Sequence, residues 1–347
     1  MWQAPKTANL TNLGVNLHLN WCLNSISMRF FLLLMCWWAI GCQPRPSGQA
    51  SSSSSPPAQS PNAALLADVQ ILASDSLEGR LTGAPGGLRA RNYLARRFSE
   101  LGLKPFGENY FQLFDFQNKK LTFHGANLVG YIEGKKHNDI CLVITAHYDH
   151  LGVRDGKTFY GADDNASGVA TLLAMAAHFG QHPPDHRVIF VSPDAEELGL
   201  RGSNYFVEHP PVPLDQVALA INIDMISRND KNELYACGPS HFPFLKTLMA
   251  QNTKTYAATL RYGHDQPGGM PGEDWSQASD HGPFFRKGIP FIYFGVEDHA
   301  DYHRPTDTFA NIQPAFFQAA VSMAVDHVAL LEKQLTAIQA EKIKLGK

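Results

Sequence analysis

The chain reads as an α/β protein, a three-layer α/β/α sandwich around a mostly parallel, mixed sheet. Two observations predict this. From Ala63 onward, short apolar runs of buried-strand length alternate with helix-length amphipathic stretches. Several of those runs end directly on a carboxylate or an imidazole, as expected at the carboxyl edge of an open parallel sheet. With 347 residues the chain can bury one large core or two small ones. Its net charge of -3, with both signs spread evenly, leaves no basic footprint for nucleic acid.

The first segment predicts export. Met28-Arg29 is followed by the apolar run Phe30–Gly41 and then Cys42. A basic start, a short apolar stretch and small residues before a cleavage point describe a secretory signal, too short to stay as a spanning helix. Ala39-Ile40-Gly41-Cys42 resembles a bacterial lipobox, so residues 1–42 read as a signal segment whose Cys42 is lipidated and becomes the mature N-terminus. Residues 1–27 lack signal character, which points to Met28 as the start. An ordinary cleaved signal with Cys42 incidental is the alternative. Residues 43–62, with SSSSSPPAQSP, cannot bury enough apolar area to offset their ordering entropy and read as a flexible tether. Gln43 rather than Asp after the cysteine fits outer-membrane sorting, placing the protein in the cell envelope, lipid-anchored and facing the periplasm, with secretion as the alternative.

Residues 63–347 read as one domain. Ala64–Ala73 and Gly87–Leu101 are expected helices, the second showing Leu94, Phe98 and Leu101 on one face and stopping at Gly102. Asn127–Glu133 and Ile140–Ala146 read as adjacent strands. Gly168–Phe179 is apolar nearly all round, as a helix packed on a sheet must be. Arg187–Val191, Val217–Ile223 and Ile289–Phe294 are further buried strands, and Phe317, Val321, Ala324, Val328, Leu331 and Leu335 mark one face of a long final helix. Lys104–Gly125, alternating aromatic and polar residues, and Arg228–Ala278, weakly periodic, read as appendages, the former as short antiparallel edge strands. Of five cysteines only Cys141 and Cys237 lie in the folded part, and Cys141 reads as a buried apolar residue.

Five separated segments carry the chemistry. In TAHYDH, His147 and Asp149 stand at i and i+2 of an extended segment and share a face, so Asp149 can orient the His147 ring while the ring's other nitrogen binds a metal. Tyr148 and His150 belong to the wall of the site. In GADDNASG, Asn165 or Ser167 can cap the following helix; that does not account for two aspartates, and Asp164 is assigned as a bridge between two cations, Asp163 as a loop residue. Of Glu196–Glu197 after VIFVSPDA, one can bind metal while the other stays free to take a proton. Asp224 ends the apolar run ALAINI, where a carboxylate must be paired, hydrogen-bonded or metal-bound. His303 sits in the loop DYHRPTD. Two imidazoles and three carboxylates suit zinc and hold too little sulfur for a closed structural site. The set describes a metallohydrolase.

Taken in order, HYDHLG, GADDNASGVA, AEELGLRGS, NIDMISR, SDHGPF and YHRPTDT resemble the zinc aminopeptidase family that includes glutamate carboxypeptidase II and the glutaminyl cyclases, and LEGRLTGAPG resembles the start of that domain. The resemblance implies a phosphorylase/hydrolase-like zinc exopeptidase fold and two zinc ions. His147 and Asp224 would bind one ion, Glu197 and His303 the other, with Asp164 bridging, Glu196 as general base and Asp149 orienting His147. It also implies a cis bond between Asp164 and Asn165. The activity implied is hydrolysis of N-terminal residues from peptides with a free N-terminus. Glutaminyl cyclisation, carboxypeptidase-type cleavage using Arg228, Arg261 or Arg304, and a tethered binding module with a dead site are the alternatives. Ala174 departs from the family pattern, which often has glutamate there. Low patterning around Met270, Trp275 and Tyr262 marks the substrate wall, with Tyr302 and Phe294 as alternatives. Oligomeric state has no signal in the sequence.

Overall fold

The computed structural model describes residues 61–266 and 273–346; the predicted signal, lipobox and most of the tether, and Met270, lie outside them. Eight helices and ten strands follow one another along the described chain. Helices α1 (Pro61–Leu72) and α2 (Pro85–Glu100) precede β1 (Phe111–Asn118), β2 (Leu121–Ile132), β3 (His137–Thr145) and the small hairpin β4 (Gly152–Arg154) and β5 (Lys157–Phe159). Then come α3 (Gly168–Gln181), β6 (His186–Ser192), α4 (Arg201–Glu208), β7 (Val217–Ile223), β8 (Glu233–Cys237), α5 (Pro243–Met249) and β9 (Thr259–Tyr262). The chain closes with α6 (His281–Arg286), β10 (Phe291–Gly295), α7 (Pro314–Glu332) and α8 (Leu335–Leu345).

The main sheet runs β1-β2-β6-β3-β7-β10-β8-β9. Its centre, β6, β3, β7 and β10, is parallel, and β2 and β8 pair antiparallel at either flank. Those central strands carry Leu142, Val143, Ile144, Ile189, Phe190, Leu219, Ile221, Phe291 and Ile292 at 0% exposure, the continuous apolar run that burial on both faces requires. Helix α3, apolar on every side, packs between the sheet, α1 and α7. α7 is long and apolar enough to cross a membrane by length and composition, yet Phe317, Ala324 and Val328 are fully buried, as in a core helix.

Three expectations change. β2 and β3 are not neighbours in the sheet, because β6 inserts between them; its apolar centre, Val188–Val191, is fully buried in that interior slot. The segment Lys104–Gly125 supplies the expected antiparallel edge strand, β1 against β2, whereas Arg228–Ala278, read as an appendage, adds β8 and β9 to the sheet at its other edge. The final helix breaks at Lys333–Gln334, which turns Leu335 and Ile338 onto β3 and β7. Cys141 and Cys237 are both buried and free.

Candidate metal centre

Each central strand delivers a functional group just past its carboxyl end. β3 ends at Thr145 and β7 at Ile223, so His147 and Asp224 leave neighbouring strands side by side. β6 ends at Ser192 and the chain turns up to Glu196 and Glu197, while β10 leads into the loop that carries His303. At three of these turns a non-glycine residue takes left-handed backbone: Ala195 before Glu196, Met225 after Asp224, and His303 itself. Such conformations cost energy and concentrate where side-chain direction matters.

The ligand atoms converge as two groups that share Asp164. Nε2 of His147 lies 3.3 Å from Asp224 Oδ1 and 3.5 Å from Asp164 Oδ1. Nε2 of His303 lies 3.1 Å from Asp164 Oδ2 and 3.1 Å from Glu197 Oε2. Two atoms bound tetrahedrally to one zinc at its usual bond lengths stand about 3.3 Å apart, so both groups have the spacing of ligands to one ion. Among the described residues none of these carboxylates is ion-paired to a lysine or arginine. The donor set, all nitrogen and oxygen and strongly negative, fits divalent zinc.

Electrostatics follow from that crowding. Burial opposes a charge on His303, but hydrogen bonds to Asp164 and Glu197 win and hold its pKa up at about 10. His147 is likewise raised, with Asp224 and Glu196 outweighing burial. Glu197 and Asp224 are lowered by their imidazole partners in spite of burial. Glu196 moves the other way: burial first, then Glu197, Asp280 and Asp224, push it well above the usual carboxylate range, against the pull of His147. A carboxyl poised to hold a proton beside a pair of cation ligands can serve acid–base chemistry.

Surrounding groups hold the ligands in place. Ser279 donates to Asp224 Oδ2 at 2.7 Å. Asp149 sits 3.7 Å from His147 Nδ1 through its carboxylate, but the hydrogen-bonding contact to that ring comes from its backbone carbonyl at 3.2 Å. The Asp149 carboxylate instead accepts the backbone N–H groups of Glu196 and Glu197. The Asp164–Asn165 bond is cis, and Asn165 caps α3 through the Gly168 N–H.

Several residues take places that the sequence reading did not assign to them. Tyr148 and His150, expected in the wall, are buried beneath it: the Tyr148 hydroxyl donates to Asp194 at 2.9 Å, and His150 lies 2.7 Å from Glu197. Asp163, read as a loop residue, is buried and accepts the Ser227 N–H and hydroxyl and faces His299. Asp307 accepts the N–H groups of both Asp163 and Asp164, joining the His303 loop to the Asp164 loop. Arg80, fully buried, donates to the carbonyls of Leu72, Tyr148, Tyr160 and Gly161. Asp280, also buried, is raised to about 7, chiefly by burial. Asp280 and Asp307 lie inside motifs quoted for the family resemblance, which was the available signal.

Of the expected substrate wall, Trp275 is half-buried and stacks on His264 at 3.7 Å, with Tyr235 and Tyr293 edge-on. Tyr302 stacks on His303 at 4.0 Å. Phe294 is 0% exposed and belongs to the core, not the wall. Arg228 and Arg261 are engaged with Asp301 and Glu233.

Two imidazoles and four carboxylates thus gather beyond the carboxyl ends of the parallel central strands, a donor set that fits a divalent metal. The family model for peptidase family M28 matches residues 127–328, and the chain belongs to that metallopeptidase family. Aminopeptidase YwaD of Bacillus subtilis is 31% identical over 233 residues, 62% of this chain and 47% of that protein; the chain thus spans about half the length of this relative. Among solved structures, a Zn-dependent exopeptidase from Parabacteroides distasonis superposes with a TM-score of 0.60 at 18% identity, covering 78% of this chain and 97% of that one. The glutaminyl cyclase of Porphyromonas gingivalis gives 0.61 at 18%, covering 77% and 97%. These two show the fold.

Proposed function

We propose that the protein is a two-zinc aminopeptidase. The observation that carries this is the pair of ligand-spaced groups sharing Asp164, with Glu196 beside both. His147 and Asp224 would hold one ion, Glu197 and His303 the other, and one oxygen of Asp164 faces each group. When bound, zinc supplies Lewis acidity that polarises a peptide carbonyl and acidifies water. Glu196 takes the proton of the attacking water as the C–O bond forms, and returns it to the leaving amine as the C–N bond breaks. Asp149 supports this through the Glu196 and Glu197 backbone. The half-buried Trp275 and Tyr302 border the space for the first side chain of a peptide with a free N-terminus. With Arg228 and Arg261 already ion-paired, a carboxypeptidase pocket would have to use Arg304.

The test is hydrolysis of a panel of aminoacyl-anilides with metal analysis on the same samples. Activity that is lost on chelation and returns at two zinc ions per chain is expected. Activity indifferent to chelation overturns the reading, and cyclisation of N-terminal glutamine with one zinc bound replaces it.

Residues 63–347 are proposed as the catalytic domain, carried on the 43–62 tether from a lipidated Cys42 in the cell envelope. Labelled palmitate should enter the chain and be lost in Cys42→Ser, with the variant released from membranes. Release of the unaltered chain would favour an ordinary secretory signal.

A further inference from the structure

The two oxygens of the Glu197 carboxylate have different neighbours. Oε2 lies 3.1 Å from Nε2 of His303, at ligand spacing. Oε1 lies 2.7 Å from Nδ1 of His150. Atoms sharing one zinc stand about 3.3 Å apart, whereas 2.7 Å is the length of a charge-assisted hydrogen bond. His150 is therefore set apart from His147 and His303 by distance, although its ring, Asp164 and Glu197 lie close enough together to suggest a third ligand group.

The rest of the ring agrees. His150 is 0% exposed, and its Nε2 has no hydrogen-bond partner among the described residues. A hydrogen on Nε2 would be a buried, unpaired donor, whereas one on Nδ1 faces Glu197 Oε1, so the hydrogen-bond geometry favours the Nδ1–H tautomer. The ring also lies close against the backbone at Gly161: a Cβ there would meet its Cγ and Cδ2 at 2.6 Å. Glycine at 161 lets the Asp164 loop approach the imidazole this closely.

We infer that His150 is a positioning residue for Glu197: its Nδ1–H occupies Oε1 and leaves Oε2 turned toward His303 and Asp164. The inference rests on the two-ion reading above. It assigns His150 to the ion held by Glu197 and His303, and leaves the His147–Asp224 group untouched.

Co2+ titration of the chelator-stripped full chain tests it, using His150→Leu, which fills the volume without a donor, and His150→Asn, whose amide N–H can stand where Nδ1–H was. His150→Leu should still bind two equivalents, with the weaker one loosened about 10–100-fold, and His150→Asn should recover most of that loss. The imidazole count from X-ray absorption should be the same in wild type and both variants. Unchanged affinity in His150→Leu, or no recovery in His150→Asn, overturns the inference. Loss of one equivalent together with one imidazole would make His150 a ligand and overturn it too. Near-UV circular dichroism of the metal-free proteins checks folding, and His150→Ala serves as the donor-free variant if the leucine is not accommodated. A wild type that takes up fewer than two equivalents overturns the two-ion reading itself, and is visible before any variant is made.

Discussion

Two glutamates stand at opposite ends of the same parallel strands and are treated oppositely by the fold. Glu332, at the end of α7, is fully buried and accepts the N–H groups of Asp185 and His186 at 2.8 Å each, with His186 Nδ1 at 3.1 Å and Lys333 Nζ at 3.0 Å. It ties α7 to the start of β6. Glu196, past the far end of β6, receives no hydrogen bond on its carboxylate from any described residue, and its nearest charges are Glu197, Asp280, Asp224 and His147. A carboxylate oxygen on which backbone donors from another element converge ties the two elements together and holds structure. One left unsatisfied among like charges keeps the ability to take and release a proton. The contrast separates groups that make the fold from groups the fold leaves available.

The sharpest way to break that distinction is at Glu196. Glu196→Gln keeps the shape and removes the titratable oxygen, so kcat should fall about 10²–10⁴-fold, the usual contribution of a positioned acid–base group. Metal content and thermal stability should stay near wild type, because the Glu196 carboxylate accepts no hydrogen bond from any described residue. Wild-type turnover in this variant would remove Glu196 from the mechanism.

Arg80 tests whether saturation also marks structure on the catalytic side. Its guanidinium feeds four carbonyls, including those of Tyr148 beside the His147 segment and Gly161 before the Asp164 loop. Arg80→Met takes the donor from the Leu72, Tyr148 and Tyr160 carbonyls, while Gly161 keeps the Ala166 N–H; at about 1–3 kcal/mol apiece a loss of at least about 3 kcal/mol is expected in urea unfolding. Lysine should not rescue it, since one ammonium cannot reproduce the planar fork. A stable Arg80→Met chain would show that these carbonyls find other donors.

Arg80 also marks where the sequence stops being readable. His147, Glu196, Glu197 and Asp224 stood out because each polar group follows an apolar run that would not tolerate it unpaired. Strand type was legible in β7 (VALAINI), where every residue is buried, for the same reason. Arg80 pairs with carbonyls, which every residue carries, so no pattern points to its partners. Asp307 works through the backbone N–H groups of Asp163 and Asp164, so its place in YHRPTDT marked the residue without pointing to its partners. The slot of β6 between β2 and β3 depends on pairing across more than 50 residues of chain, as between Leu128 and Ser192, and local periodicity holds no such information.

His281 lies on the catalytic side, yet both of its ring nitrogens are engaged. Its Nε2–H donates to the Trp275 carbonyl at 2.7 Å, and its Nδ1 faces the Asn222 amide at 3.3 Å, between the rings of Phe291 and Tyr293. Burial lowers its pKa to about 4, against about 6.5 in the unfolded chain. Between those values the unfolded chain binds a proton that the folded one refuses. Stability is therefore fullest above pH 6.5 and declines as pH falls toward 4, by up to about 3 kcal/mol from this group. Urea midpoints of the metal-free protein at pH 7 and pH 4.5 should differ less in His281→Gln than in wild type. An equal difference would place the acid sensitivity in the carboxylates.

The smallest effect should come from Glu332, although three nitrogens converge on its Oε1. Glu332→Gln retains a carbonyl oxygen that can still accept the Asp185 and His186 N–H groups, because both converge on the one oxygen Oε1. What is lost is the charge assistance and the attraction to Lys333, a side chain half in solvent where screening leaves an ion pair worth little. About 1–2 kcal/mol of stability is expected to go, the difference between charged and neutral acceptors over two hydrogen bonds. The kcat of the folded fraction should not move, since Glu332 lies at the opposite end of the sheet from the ligands. A change in kcat without a change in stability would mean that the two ends of β6 are coupled, and that saturation alone does not divide the carboxylates of this fold by role.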